Sequence, residues 1–235
     1  MSWPRCIDPA RGVIKGRQFQ HDRVIGEPVA WARVMSQIRE VDELVIFDVT
    51  HNPPDIELLE RITKEINIPL SYGGGIHDID TAMRVAKIAE KLVLQDEAMI
   101  FEVGLRSGAQ AAIGCINGGN YATDAVRLVA AGAGEILIQS IERDGMMTGY
   151  DLEAIRAVRA AVNVPLTVSS GAGTAQHFVE AVQAGADGVA AGACWAFSDL
   201  TPNEVKRAIA DAGYPVRTVG SIHPVCADSR ARRGR

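Results

Sequence analysis

Short apolar runs alternate with longer segments of helical spacing along nearly the whole chain, and this alternation constrains the fold more than any other feature. The apolar runs predict strands over 5–8, 44–48, 70–72, 91–94, 111–116, 135–140, 166–169 and 188–191. Helical spacing predicts helices over 29–38, 55–65, 79–88, 122–131, 152–162, 175–184 and 203–212. Pro202 near a helix start, and Gly132, Gly185 and Gly213 after helices, are ordinary cap signals. Eight strands alternating with helices predict a single (β/α)8 barrel, residues 1–222, with an open doubly wound sheet as the alternative. The 235 residues suit the barrel, which typically takes about 250. No GxGxxG follows the first strand, so dinucleotide binding has no support.

The two halves echo each other. VDELVIFDVT (41–50) resembles AGEILIQSIE (133–142), and PLSYGGGI (69–76) resembles PLTVSSGAG (165–173). Two similar half-barrels would produce this pattern. The repeat unit is too long for a solenoid.

The stretch 134–151, GEILIQSIERDGMMTGYD, shows how one strand divides the molecule. Its near-continuous apolar centre suits a strand covered on both faces. Glu135 stands at one end and the polar turn Glu142, Arg143, Asp144, Gly145 at the other. A strand of this length spans roughly 20 Å. In a barrel, active sites form where the strands end. Those ends are Asp8, Asp48, Gly73–Gly75, Gln95–Asp96, Asn117, Asp144–Gly145, Ser169–Gly173 and Gly192. Glycine-rich turns recur after strands three and seven, where bare N–H groups can cradle phosphate. Two such turns half a barrel apart predict a long substrate with a phosphate at each end.

Charge and cysteine content narrow the class. The net charge of −5 gives no basic patch for nucleic acid or anionic membrane. The one basic run, RARRGR, ends a tail over 223–235 that is expected to be disordered. The sequence contains no apolar run of membrane-spanning length and no apolar leader after Met1, so a soluble cytoplasmic protein is expected. Cys6, Cys115, Cys194 and Cys226 form no CxxC pair and are expected to be free thiols, and the histidines are scattered, so no metal site is expected.

CIDPARGVIKG, VDELVIFDVT, YGGGI, GAGEILIQSIERDG, GYDLE and SSGAG, in this order, resemble the cyclase subunit of imidazole glycerol phosphate synthase, within the histidine-biosynthesis barrel family. The resemblance runs from about residue 5 to residue 216 and is weakest across 94–120. It implies a (β/α)8 barrel that works with a partner glutaminase and carries no cofactor. Ammonia from the partner would attack a bisphosphorylated ribulosyl aminoimidazole-carboxamide ribonucleotide. The products would be imidazole glycerol phosphate and aminoimidazole-carboxamide ribonucleotide. Opposed carboxylates suit this chemistry, because protons move at both faces of the forming ring.

Residue by residue, the resemblance makes Asp8 the strand-one carboxylate, and Lys15 with Phe19 part of a first loop that closes over substrate. Asp144, at the same mouth, is with Lys15 a further catalytic candidate. The family's second carboxylate is replaced by Asn117, which lacks a carboxylate's acid–base capacity. Gly145, Ser169, Gly171 and Gly192 match one phosphate site, with glycine standing at 192 where serine is usual. Gly74 and Gly75 match the other site, but its partner turn reads Gln95-Asp96-Glu97. Those acids would repel a phosphate if they faced it, or else point away in a rebuilt turn. At the far end, Arg5, Glu43, Lys91 and Glu135 match an ammonia gate, for which the plainer reading is a structural charge network. Two alternatives to the histidine cyclase remain open. One is a paralogue channelling ammonia for sugar amidation in surface-polysaccharide synthesis. The other is a degenerate scaffold for the glutaminase.

Overall fold

A computed structural model describes residues 1–37 and 41–217. The expected tail over 223–235 and the last residues assigned to the barrel lie outside them. Eight parallel staves form: β1 (Ser2–Asp8), β4 (Glu43–Asp48), β5 (Leu70–Gly73), β6 (Lys91–Leu94), β7 (Ala112–Ile116), β8 (Glu135–Gln139), β9 (Leu166–Ser169) and β10 (Gly188–Val189). Two further strands, β2 (Gly12–Arg17) and β3 (Gln20–Gly26), make an antiparallel hairpin after β1. Sheet order runs β10-β9-β8-β7-β6-β5-β4-β1-β2-β3. A parallel bridge from Ser2 to Ala190 then joins β1 to the β10 end of the sheet, closing the (β/α)8 barrel and leaving the hairpin outside the ring of staves.

The helices are α1 (Pro28–Gln37), α2 (Ile56–Glu65), α3 (Ile79–Val85), α4 (Glu97–Ser107), α5 (Tyr121–Ala130), α6 (Leu152–Ala161), α7 (Ala175–Gln183), α8 (Ala193–Phe197) and α9 (Pro202–Asp211). Most begin for a local reason. Asp55, Asp78, Asp96, Asn120 and Asp151 each accept a hydrogen bond from a first-turn N–H, and Thr201 with Glu204 forms a capping box. Among the described residues no helix is long and apolar enough to cross a membrane.

Alternation along the staves separates two cores. One face packs against the helices through a large cluster that includes Leu44, Ile46, Leu92, Ile136 and Phe178. The other face fills the barrel interior with Val45, Val93, Ile113, Cys115 and Leu137, with Phe47 against them. The barrel interior is therefore apolar in its middle layer.

The seam between β1 and β10 is short, and Tyr150 braces it. Its buried hydroxyl donates to Ala190 O at 2.9 Å, and its ring meets Phe178 edge-on with centroids 5.7 Å apart. Replacing Tyr150 with phenylalanine keeps the ring contact but orphans a buried carbonyl. The expected loss is about 1–3 kcal/mol in urea denaturation. An unchanged midpoint would show that Tyr150 does not brace the seam.

Three features differ from the sequence expectation, one of them the short helix α8 (Ala193–Phe197), which falls outside every segment of helical spacing. The β2–β3 hairpin lacks the Asn-Gly or Gly-Gly turn that marks hairpins. Its two-residue turn is Gln18-Phe19, at φ 50° and 60°. Helix α4 falls in the stretch 94–120, where Gly104 interrupts the helical pattern and Asp96 reads as a turn acid.

Candidate functional site

At the C-terminal mouth of the barrel, the β2–β3 hairpin folds across the β8 loop. Gln18 N donates to Asp144 O at 2.9 Å, and Gln18 Nε2 reaches Glu142 O at 3.4 Å. Gly145 (φ 72°) allows the close approach, because a Cβ there would lie 2.5 Å from Gly16 O. The hairpin buries Lys15, whose Nζ pairs with Asp144 Oδ1 at 3.2 Å. The first loop is thus docked over the cavity that it was expected to cover.

That cavity is lined by Arg5, Lys15, Phe19, Asp144, Gly145, Ser169, Ser170, Gly171 and Gly192, among others. Four of the expected phosphate residues therefore meet in one place. Gly171 sits at φ 104°, and a Cβ there would lie 2.2 Å from Gly149 O, so only glycine fits the turn.

The strand-three turn is arranged differently. Cβ atoms on Gly74 and Gly75 would lie 2.1 Å from Asp48 O and 1.9 Å from Asn52 O. These glycines are required by the loop after β4, which crosses directly over them. The neighbouring acids are committed locally. Asp96 accepts from Met99 N at 2.8 Å as the cap of α4, and Glu97 pairs with Arg127.

Asp8 and Asn117 end their staves at the same mouth. Asp8 Oδ1 accepts from Ala10 N (2.9 Å) and Arg11 N (3.2 Å), which fixes the carboxylate and turns the chain into the hairpin. Asn117 Oδ1 accepts from Cys115 Sγ at 3.2 Å, and the same thiol lies 3.6 Å from Gln139 Oε1. Burial pushes the Cys115 thiol up to about 12, so it acts here as a donor and not as a thiolate. Sequence reasoning gave Asp48 no role beyond ending its strand. It is buried and accepts from Thr50 N (2.9 Å), Thr50 Oγ1 (2.7 Å) and the Tyr72 hydroxyl (3.3 Å). Burial, together with Asp48, holds Tyr72 well above the ordinary phenol range.

At the opposite end, Lys91 Nζ lies 2.7 Å from Glu135 Oε2 and 3.7 Å from Glu43 Oε1. Hydroxyls complete the ring: Ser71 donates to Glu43 Oε1, Ser2 to Glu43 Oε2 at 3.3 Å, and Thr167 to Glu135 Oε1 at 2.7 Å. Each half of the chain thus contributes a Glu with a hydroxyl from the next stave. Burial opposes the Lys91 charge, but the two glutamates outweigh it and raise its pKa above the ordinary lysine value.

Arg5 does not join this ring, contrary to the sequence expectation. On β1 it is Ser2 that registers with Glu43, while Arg5 registers with Ile46, farther along the strand. Arg5 instead stacks over Trp31 at 5.0 Å and donates to Gly192 O at 3.0 Å. A polar or charged residue in the first two positions of six staves (Ser2, Glu43, Ser71, Lys91, Glu135 and Thr167) is the signal that would have placed Ser2, Ser71 and Thr167.

The family model described as histidine biosynthesis protein matches residues 5–112 and 116–201. The chain is 35% identical over 245 aligned residues to the imidazole glycerol phosphate synthase subunit HisF of Thermotoga sp. (strain RQ2), covering 92% of this chain and 96% of that one. It is 37% identical over 245 residues to the HisF subunit of Streptomyces coelicolor, covering 90% and 96%. For the HisF subunit of Nocardia farcinica the identity is 36% over 249 residues, covering 90% and 96%.

Proposed function

Since the chain belongs to the histidine-biosynthesis protein family and is a HisF-like member of it, we propose that it is the cyclase subunit of an imidazole glycerol phosphate synthase. One observation carries this reading: the barrel has two chemically distinct ends joined by an apolar interior. The ring of Glu43, Lys91 and Glu135 stands at one end, and the cavity under Lys15 at the other. Between them lie Val45, Val93, Ile113, Cys115 and Leu137. Such a lining favours a small neutral molecule over an ion, because burying an unpaired charge is costly.

In this reading a glutaminase subunit docks at the ring end and releases ammonia into the interior. The ammonia emerges at the mouth and attacks the bisphosphorylated ribulosyl ribonucleotide held there. Asp8, fixed by two backbone N–H groups, moves protons on one side of the forming ring. Asn117 stands at the second carboxylate position and orients by hydrogen bonding alone. Lys15 holds the hairpin closed through Asp144, which excludes water during the reaction. One phosphate rests at Gly145, Ser169, Gly171 and Gly192, and the other near Gly74 and Gly75. The domain extends over residues 1–222.

The test supplies purified protein with the bisphosphorylated substrate and saturating ammonium salt. Imidazole glycerol phosphate should form above the protein-free rate. If neither this protein nor its Asn117→Asp variant forms any, the cyclase reading fails.

A further inference from the structure

We propose that Arg5 is a phosphate-specificity residue that, with Lys15 and the Ser170 hydroxyl, makes the mouth cavity a two-cation site for a phosphate monoester. The proposal deepens the cyclase reading and rests on it for the identity of the natural ester. The site itself is independent of turnover.

Arg5 and Gly192 fit as a pair. A Cβ on Gly192 would lie 3.2 Å from Arg5 Nη1 and 3.8 Å from Lys15 Nζ. The guanidinium therefore occupies the space that a side chain at 192 would take. Both cations flank that one point from two different strands, β1 and β2. Arg5 is 3% exposed and is held by the Trp31 ring beneath its guanidinium and by its hydrogen bond to Gly192 O. A guanidinium fixed this way loses little freedom when it meets an anion. Burial lowers its pKa to about 10, which leaves it charged at neutral pH. Asp144 is the carboxylate lining the same cavity, and with Arg5 and Lys15 the sum is one net positive charge.

Ser170 gives the independent observation. It is 6% exposed, and its Oγ has no hydrogen-bond partner. It lines the cavity between Ser169 and Gly171 at φ 75°, a conformation that serine adopts at a cost. A buried hydroxyl without a partner is expensive unless a ligand completes it. A phosphate oxygen in the cavity would accept from it.

Binding of inorganic phosphate and of glycerol 3-phosphate is measured by calorimetry on the intact protein, with circular dichroism to confirm folding. Arg5→Met should weaken both by about 10–100-fold, as expected for losing a charged hydrogen bond. Ser170→Ala should weaken both by several-fold. If Arg5→Met misfolds, Arg5→Lys takes its place and should also weaken binding, because it keeps the charge but loses the planar fork. Tighter binding of glycerol 3-phosphate than of inorganic phosphate marks the ester as the true ligand. Equal binding would overturn the monoester assignment. Unchanged affinity in the folded Arg5 and Ser170 variants, or no phosphate binding by the parent protein, would overturn the site. Failure of the cyclase assay alongside these expected shifts would overturn only the cyclase reading.

Discussion

Exchanging Asn117 for aspartate is expected to raise the ammonia-driven cyclase rate by about 10²–10⁴-fold, the usual contribution of a positioned general acid or base. The geometry around the position already suits a carboxylate. Cys115 Sγ donates to Asn117 Oδ1, and a carboxylate oxygen would accept from the same thiol. Asp8 stands at the end of β1 with its own carboxylate fixed. The variant would therefore restore two opposed carboxylates without rebuilding a strand. Steady-state rates with saturating ammonium salt decide the matter. An unchanged rate in a folded variant would mean that proton transfer does not pass through the end of β7.

Exchanging Lys91 for methionine should cost stability and uncouple the two ends of the barrel. The change leaves Glu43 and Glu135 facing each other without their shared cation. Breaking a buried ion pair costs about 3–5 kcal/mol, and the 30% exposure of Lys91 places the loss at the lower end of that range. The sign of the pH dependence follows from the raised pKa of Lys91. Its contribution is complete below the unfolded lysine value of about 10.4 and disappears as pH rises through the higher folded value. The penalty should therefore be constant across neutral pH and shrink in strong alkali. Denaturation midpoints at several pH values measure it. In activity, the glutamine-dependent rate should fall by several-fold more than the ammonium-dependent rate. Equal, unchanged rates would remove the ring from the ammonia route.

Much of this was legible from the alternation of strand and helix patterns, because a stave covered on both faces has to be apolar and its C-terminal residue then marks the mouth. Asp8, Asn117, Asp144 and Gly171 fell where that logic put them. What resisted were features decided by three-dimensional register. Arg5 and Ser2 lie close together in the sequence, and only pairing with Glu43 separates ring from mouth. The β2–β3 hairpin turns at residues without a turn signature, so nothing local announced it. Asp96 is chemically able to face a phosphate or cap a helix, and the sequence alone does not choose between them. Ser170 reads as one more polar turn residue until its burial is known.

Ser2 belongs to two structures at once. Its backbone forms the bridge to Ala190 that joins the first stave to the last, and its hydroxyl holds Glu43 in the charged ring. Any breathing motion that parts the first stave from the last must also loosen the ring. Local opening of the barrel wall and widening of its narrow end are therefore one event, with one opening free energy. Amide hydrogen exchange along β1 and β10 would record both at once. A glutaminase seated against this end, by holding Ser2 in place, would slow exchange along the whole seam, far beyond the residues that it touches.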